Sequence, residues 1–593
     1  MIESLRAIGV FSLKEKGKSE KDILSILVEN PANKYYQKVV ALDFKETSEG
    51  LRFSGLYFED MDLDFEKYLY KKKGANGANY TPAALVAGKG INGTFRIKIV
   101  AWARGAVGEK GDVGELARAI QSQEEEIEVT LEEKDRELGL SNTLLTVRLN
   151  GKYPGQLEAF RDYFVRNYYQ AKGAIAIQNG VCSICGYHGF VMGNEKPWTF
   201  YSLDKPGFIA GGFNATTGWR NFPICKTCSL LVEEGKQYVE KNLGYRFSGI
   251  PYFLLPKSIF NSEKTLKETL TYLHFENRSQ IKDVRDVHQL ADDEDEILEF
   301  ASKQSDAINY NFLFYESAKA KFSILLYLQD VLPSTIRRLF NAKSEVDRHA
   351  VFKEVYKEED TLKNVVFTFF NLRRFIHTRK TFLNLVEKIF KQRPIDYFYL
   401  LEQILARLRF EFANSHFTRP DTLRAWQIFL FLQELGILNH YEKGEPPMTS
   451  QVIENDVKRK VEAFFSQFED TFNSNAKRAV FLTGVLTSFL LQIQYHDRGS
   501  EPFRKNLKGL KMHQRDVLRI FPGVQNKLEE YDKNYYSQLE QVISEYFVRA
   551  GSDWQISDDE INFYFLLGMD LSDAKAEDGQ PVFKAVKEMA QDE

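Results

Sequence analysis

The chain has little of what would place it in a class at sight. Its 593 residues include four Cys, five Trp, seven Met and nine His. Four cysteines cannot staple a chain of this size as disulfides staple small secreted domains. No stretch of about 18 or more apolar residues occurs, so nothing is predicted to be long enough to cross a bilayer. The best candidate, Ala479 to Ile493, is interrupted by Thr483, Gly484, Thr487 and Ser488 and reads as a buried helix. Met1 to Leu13 lacks the basic cap and apolar core of a secretory signal. The expected location is therefore the cytoplasm, with no membrane partner. No Walker lysine loop, serine elbow or zincin helix is present, which speaks against a nucleotide-driven motor and the commoner hydrolases.

What is there describes an ordinary globular protein. Hydrophobic residues make up 43% and charged residues 27%, which excludes collagen-like, low-complexity and wholly disordered chains. Aromatics reach 14%, with 47 Phe and 29 Tyr. Such a content suits thick helical cores and equally suits surfaces on which bases stack. Lys and Arg total 79 against 83 Asp and Glu, a net charge of -4. A free-standing cationic DNA-coating protein is thus not expected. The balance is uneven, because residues 550–593 hold 11 acids and 3 bases, which leaves the remainder at +4.

The sharpest motif is made by the cysteines themselves, Cys182-Ser-Ile-Cys185 and Cys225-Lys-Thr-Cys228. Two residues between ligands let a tight knuckle aim both thiolates at one ion, and two knuckles complete the tetrahedral shell that zinc prefers. Gly186 follows the first pair and Pro223 precedes the second. Four thiolates leave no open coordination position, so the expected cofactor is a structural Zn2+ held by Cys182, Cys185, Cys225 and Cys228. His188 is near enough in sequence to replace one thiolate. The Gly-, Thr- and aromatic-rich stretch from Lys205 to Arg220, between the knuckles, fits a loop that approaches a nucleic-acid backbone and equally an ordinary hairpin loop.

Periodicity divides the chain. Lys38 to Phe44, Leu51 to Phe58 and Thr94 to Val100 alternate as strands do, and Glu124 to Glu137 is acidic and helix-compatible. Beyond about residue 260 the pattern is helical. Ile453, Val457, Val461, Phe464, Phe465, Phe468 and Phe472 draw one stripe along a helix, and further helices are expected around Ala479 to Ile493, Leu528 to Phe547 and Ile561 to Met569. The predicted fold class is α+β: an N-terminal mixed α/β region with a four-cysteine zinc-finger insertion, then a mainly helical region ending in a helical bundle. The expected divisions are 1–260, with the zinc segment at about 178–232, then 261–447 and 448–593. The last boundary rests on Glu442-Lys-Gly-Glu-Pro-Pro-Met448. Phe481-Leu-Thr-Gly484 and Phe565-Leu-Leu-Gly568 repeat one pattern, which close helix packing explains.

Two motifs are weak. Gly88-Lys-Gly-Ile-Asn-Gly93 matches a dinucleotide fingerprint, but a strand rather than a helix is expected after it. His496-Asp497 resembles the core of metal-dependent HD phosphohydrolases and reads better as a helix end. Three cationic stretches are candidates for a nucleic-acid backbone. Tyr68 to Pro82 carries Lys71, Lys72, Lys73, Asn76 and Asn79, where Lys can neutralise phosphates and Asn can pair with adenine edges. Phe370 to Phe382 carries Arg373, Arg374, Arg379 and Lys380 with no acid among them, and Phe503 to Arg515 carries Arg504, Lys505, Lys508, Lys511 and Arg515. Any one of these could be a solvated face, but three in an acidic chain favour a path for a backbone.

In their order, the Tyr68-Leu-Tyr-Lys-Lys-Lys-Gly loop ending at Thr81-Pro82, the pair Cys182-x-x-Cys185-Gly and Cys225-x-x-Cys228, and the long helical region with F-L-x-G repeats resemble the large subunit of type I-B CRISPR Cascade surveillance complexes. The resemblance implies a non-catalytic subunit that binds crRNA and target double-stranded DNA. It would inspect the duplex for the flanking motif, help open it and stabilise the R-loop, while guide pairing supplies most of the specificity. Its implied partners are the repeat-backbone, handle-binding and small subunits and a helicase-nuclease recruited on target binding. On chemistry and layout, Lys71 to Asn79 is expected at the flanking motif. Gly211 to Arg220 is a second contact, and the Arg373 and Arg504 clusters are expected on the opened strands. The family also implies a small subunit made from an internal start, for which Met448 is placed to give residues 448–593. Two alternatives stay open: a metal-dependent nuclease using His496 and Asp497, and a zinc-containing scaffold that binds proteins only.

Overall fold

The computed structural model describes the chain except residues 21, 33, 74–76, 172–175, 194–218, 221, 261, 278–297, 300, 319–320, 354, 359–360, 415–416, 440–455, 532–534, 577–578 and 586–593. Asn76, most of Lys205 to Arg220 and the expected boundary with Met448 lie outside the described residues. The described chain forms two compact units, Met1–Leu243 with Ser317–Ser323, and Gly244–Glu316 with Ile324–Glu593.

The first unit is built on a four-stranded sheet of order β2-β1-β4-β3, made of β1 (Lys38–Thr47), β2 (Gly50–Asp60), β3 (Ala84–Leu85) and β4 (Thr143–Leu149). β1 pairs antiparallel with β2 and parallel with β4. Val39, Val40, Ala41, Leu42 and Phe44 are all buried, as a central strand covered on both faces requires. The helix α1 (Ile2–Glu15) precedes the sheet, and α2 (Asp112–Ser122), α3 (Glu124–Leu138) and α4 (Glu158–Ala171) accompany it.

One expected strand is helical instead. Gly90–Thr94, Phe95–Val100 and Ala101–Ala106 follow one another as helix, with a widened turn over the middle segment. Phe95, Ile97 and Ile99 alternate, but Ile91, Phe95, Ile99 and Trp102 also stand four, four and three apart, and all four are buried whereas Ile97 is half-buried. Burial of that stripe outweighs the β propensity of the branched residues. The glycine fingerprint is therefore followed by a helix after all. It fails on other ground, since β3, the strand before the glycines, is two residues long and pairs antiparallel with β4, so it does not open a parallel crossover unit of the kind that receives a dinucleotide.

The second unit holds a sheet of order β11-β10-β9-β8, from β8 (Gly244–Phe247), β9 (Ile250–Ser258), β10 (Ile308–Ala318) and β11 (Lys321–Val331). The two long strands interrupt the stretch read as helical after residue 260. Helices follow: α5 (Pro333–Asp347), α6 (Phe369–Phe375), α7 (Arg379–Phe390), α8 (Tyr397–Asn414) and α9 (Arg419–Glu434). Then come α10 (Asp456–Gln467), α11 (Asn475–Arg498), α12 (Gln514–Glu530), α13 (Ser537–Ala550) and α14 (Asp558–Asp570). The helix expected around Leu528 to Phe547 is thus two, the first ending at Glu530 and the second beginning at Ser537.

At 24 residues and a mean hydropathy of 1.3, α11 is long and apolar enough to span a bilayer, which corrects the sequence expectation on length. Within the unit 89% of that stretch is buried, so it is the core helix. It packs parallel to α14 and in register with it: Lys477 pairs with Glu560 at 3.1 Å, and the Ser488 and Ser572 hydroxyls lie 3.0 Å apart. Helices α8 and α9 share this core. Phe429 meets Phe563 edge-on at 5.4 Å, Trp426 packs on Phe468 at 4.7 Å, and the Trp426 indole donates to Thr471 Oγ1 at 3.1 Å.

Candidate metal centre and cationic surfaces

The four cysteines converge. A three-stranded sheet of order β5-β6-β7 is formed by β5 (Ala176–Val181), β6 (His188–Met192) and β7 (Ile224–Cys225), and the last runs directly into α15 (Lys226–Asn242). Cys182 and Cys185 flank the turn between the first two strands, where Gly186 takes φ +71°, a left-handed conformation that glycine adopts at low cost. The Ser183 amide donates to the Pro223 carbonyl at 2.8 Å and ties one knuckle to the other. Cys225 caps α15, its Sγ accepting the Cys228 amide at 3.5 Å.

All four Sγ atoms lie within 4.8 Å of one another, and Cys185 and Cys225 are 3.7 Å apart. Ligands about 2.3 Å from a tetrahedral zinc stand about 3.8 Å from each other, so the donor set fits. No pair is joined as a disulfide. His188 is exposed at the start of β6 and stands outside the cluster. Hydrogen bonding from the Cys228 side chain, then from its amide, pulls the Cys225 thiol down to about 5. The same pairing pushes Cys228 up, and burial raises Cys185. A helix N-terminus favours the thiolate as well. Such a site is suited to a structural divalent ion held by Cys182, Cys185, Cys225 and Cys228.

The cationic stretches differ in how free their side chains are. Lys71 pairs with Glu29 at 2.9 Å, whereas Lys72 and Lys73 are exposed. Asn79 is buried; its Nδ2 donates to the Ala83 carbonyl at 2.8 Å and its Oδ1 accepts the Lys73 amide at 3.4 Å. That side chain braces the loop from within. Arg220, stacked on Trp219 at 5.5 Å, is exposed.

In the second unit Arg373 donates to the Ser248 carbonyl, and burial lowers its pKa. Arg374 pairs with Asp421 at 3.1 Å and Arg379 with Glu316 at 3.0 Å. Lys380 is exposed with no ion-pair partner among the described residues. Arg504 stacks on Phe412 at 4.2 Å and pairs with Glu501 at 3.0 Å, and Lys508 pairs with Asp516 at 2.7 Å. Lys505, Lys511 and Arg515 are exposed without ion-pair partners among the described residues. The sequence missed Arg519, exposed one helical turn beyond Arg515. The spacing of four was its available signal.

His496 and Asp497 end α11, 3.0 Å apart with the imidazole 84% exposed. His513 precedes α12 and pairs with Asp558 at 2.5 Å. Neither histidine belongs to a cluster of three or more His, Cys, Asp or Glu ligand atoms among the described residues.

The molecule thus combines a mixed sheet region bearing a four-thiol centre with a helical core that carries cationic edges. Three family models match the chain in order: the N-terminal domain of CRISPR-associated protein TM1802 (cas_TM1802) at residues 1–166, its central domain at 179–331 and its C-terminal domain at 364–580. The chain belongs to this family and is a CRISPR-associated protein. A comparison with curated proteins gave no match.

Proposed function

We propose that this chain is the non-catalytic large subunit of a type I-B crRNA-guided surveillance complex. It reads the flanking motif in duplex DNA, helps open the duplex and holds the R-loop until a helicase-nuclease arrives. The observation that carries this reading is the family match over all three domains. The separation between paired cations, which build the fold, and exposed ones supports it. Lys72 and Lys73 remain for phosphates near the flanking motif, with Asn79 removed from base reading by its burial. Lys380 forms one part of the strand-holding surface, and Lys505, Lys511 and Arg515 form the other.

The zinc centre is the scaffold of the first unit, and residues 448–593 serve a second time as a separate small subunit. The complex acts in the cytoplasm with crRNA and the repeat-backbone and handle-binding subunits.

The test is binding of the assembled complex to duplexes with and without the flanking motif across a salt series. Reversing Lys72 and Lys73 to Glu weakens binding and flattens the salt dependence, by about one power of salt for each phosphate no longer neutralised. Binding that is indifferent to salt and to these substitutions contradicts the reading, as does metal-dependent cleavage by the chain alone that His496→Ala abolishes.

A further inference from the structure

Four thiolates around one divalent ion carry two surplus negative charges, and burying them requires a compensating cation. Cys182, Cys225 and Cys228 are 2%, 6% and 1% exposed and Cys185 faces solvent, so solvent compensates one side of the cluster and leaves the three buried sulfurs to the protein.

Lys226 lies between two of the ligands in sequence, but its ammonium sits over Phe190 at 4.8 Å and Tyr169 at 5.6 Å. The cation aimed at sulfur comes from far away in the chain. Helix α1 runs parallel to α15 at the closest approach two helices allow. A Cβ on Gly9 would lie 2.0 Å from the Leu231 carbonyl oxygen, and one on Gly235 would lie 1.8 Å from that of Leu5.

Further along, Ser12 Oγ donates to the buried Glu234 carboxylate at 2.6 Å, and Lys16 pairs with the same group. With the helices fixed in this way, the offset that sets Ser12 against Glu234 sets Arg6 level with Cys228 in the first turn of α15, within electrostatic reach of the Cys228 and Cys185 side chains. One arm of its guanidinium reaches Glu20 at 3.7 Å, while its Nε is buried with no hydrogen-bond partner among the described residues.

We propose that Arg6 is the outer-sphere cation of the four-cysteine centre: it offsets the charge of the thiolates and holds Cys228 in its ligand orientation, so that N-terminal helix docking and metal retention are coupled. This rests on the zinc reading of the cluster. Outer-sphere partners of metal ligands commonly account for about 10- to 100-fold in metal affinity.

The experiment compares full-length wild-type chain with Arg6→Gln, Arg6→Lys and Lys16→Gln, measuring zinc per chain and the half-time of its release to a chromophoric chelator. Arg6→Gln is expected to release zinc about tenfold faster or more, by the same outer-sphere magnitude. Arg6→Lys, which keeps the charge, is expected to fall between it and wild type. Lys16→Gln loosens the same helix away from the sulfurs and is expected to release zinc as wild type does. Release from Arg6→Gln at the wild-type rate overturns the proposal, as does equal acceleration by Lys16→Gln, which would reduce the effect to helix docking. Where Arg6→Gln yields no soluble chain, Arg6→Lys at the wild-type rate overturns it. A wild-type chain that takes up no zinc fails the zinc reading itself, and the proposal with it.

Discussion

A Cβ on Gly568 would lie 1.9 Å from the carbonyl oxygen of Phe481, and the relationship is reciprocal, since one on Gly484 would lie 2.1 Å from that of Phe565. The two F-L-x-G segments are thus the two halves of one contact between α11 and α14. Because backbone rather than a movable side chain stands in the way, relief requires the helices to separate. Gly568→Ala and Gly484→Ala are each expected to cost about 2–3 kcal/mol, at the upper end for overpacked cores. Urea unfolding of the purified chain checks this, with Gly499→Ala separating space from conformation. At Gly499 nothing lies within 4 Å, but φ is +63°, so only left-handed strain of about 1 kcal/mol is expected.

The cationic cluster around Arg373 is expected to divide under substitution. Arg374 and Arg424 both reach Asp421, whose side chain is 8% exposed, at 3.1 and 2.7 Å. Arg374→Ala leaves that carboxylate with one partner fewer and is expected to lower the melting temperature. Lys380→Glu, at an exposed site, is expected to leave melting unchanged and to weaken DNA binding most at low salt, where surface charges are least screened. Paired melting and binding curves on the two variants check the division.

Asp570 supplies a pH dependence whose sign can be worked out. Asp570 is half-buried at the end of α14, and desolvation of its carboxylate raises the pKa to about 6 against the hydrogen bonds of Thr422 and Thr418. Thr418 Oγ1 stands 3.0 and 2.9 Å from the two carboxylate oxygens. A carboxyl raised in the folded state binds its proton more tightly there than when unfolded. This group therefore favours folding most below about pH 4, and the advantage is lost as pH climbs to about 6. At about 1.4 kcal/mol per unit, the loss is of order 2–3 kcal/mol. Asp570→Asn is expected to stabilise the chain at pH 7 and to flatten its stability between pH 4 and 6, as read by denaturant midpoints.

A product of residues 448–593 made on its own lacks the partners its core has in the full chain. Phe563 and Phe468, 1% and 4% exposed in the full chain, would be without Phe429 and Trp426. Exposed aromatic surface of this kind drives association. The fragment is expected to run as a dimer or larger species by light scattering, which suits several copies stacked along a guide. A stable monomer would contradict this.

Legibility in the sequence followed the range of the interactions that fix each element. The thiol centre was readable because two ligands two residues apart define a knuckle locally, and the same holds for α10, where the stripe from Val457 to Phe465 is a helical period. The F-L-x-G repeats were visible, but their reciprocity was not, because 84 positions separate Gly484 from Gly568. Phe95 to Val100 misled because a period of two over six residues also fits a helical stripe, and only burial chooses between them. The roles of the cations were the least legible. Arg373, Arg374 and Arg504 look alike in sequence to Lys380 and Lys505, and the difference lies in Ser248, Asp421 and Phe412, carried by other segments.

Membership of a crRNA-guided complex is decided by co-purification of the tagged chain, expressed with its neighbouring genes, when bound RNA, proteins and metal are all analysed. A crRNA-sized RNA, backbone and handle-binding subunits, a short product beginning near Met448 and zinc bound to the chain are expected together. Recovery of the chain alone, without RNA or partner subunits, would contradict the proposed function.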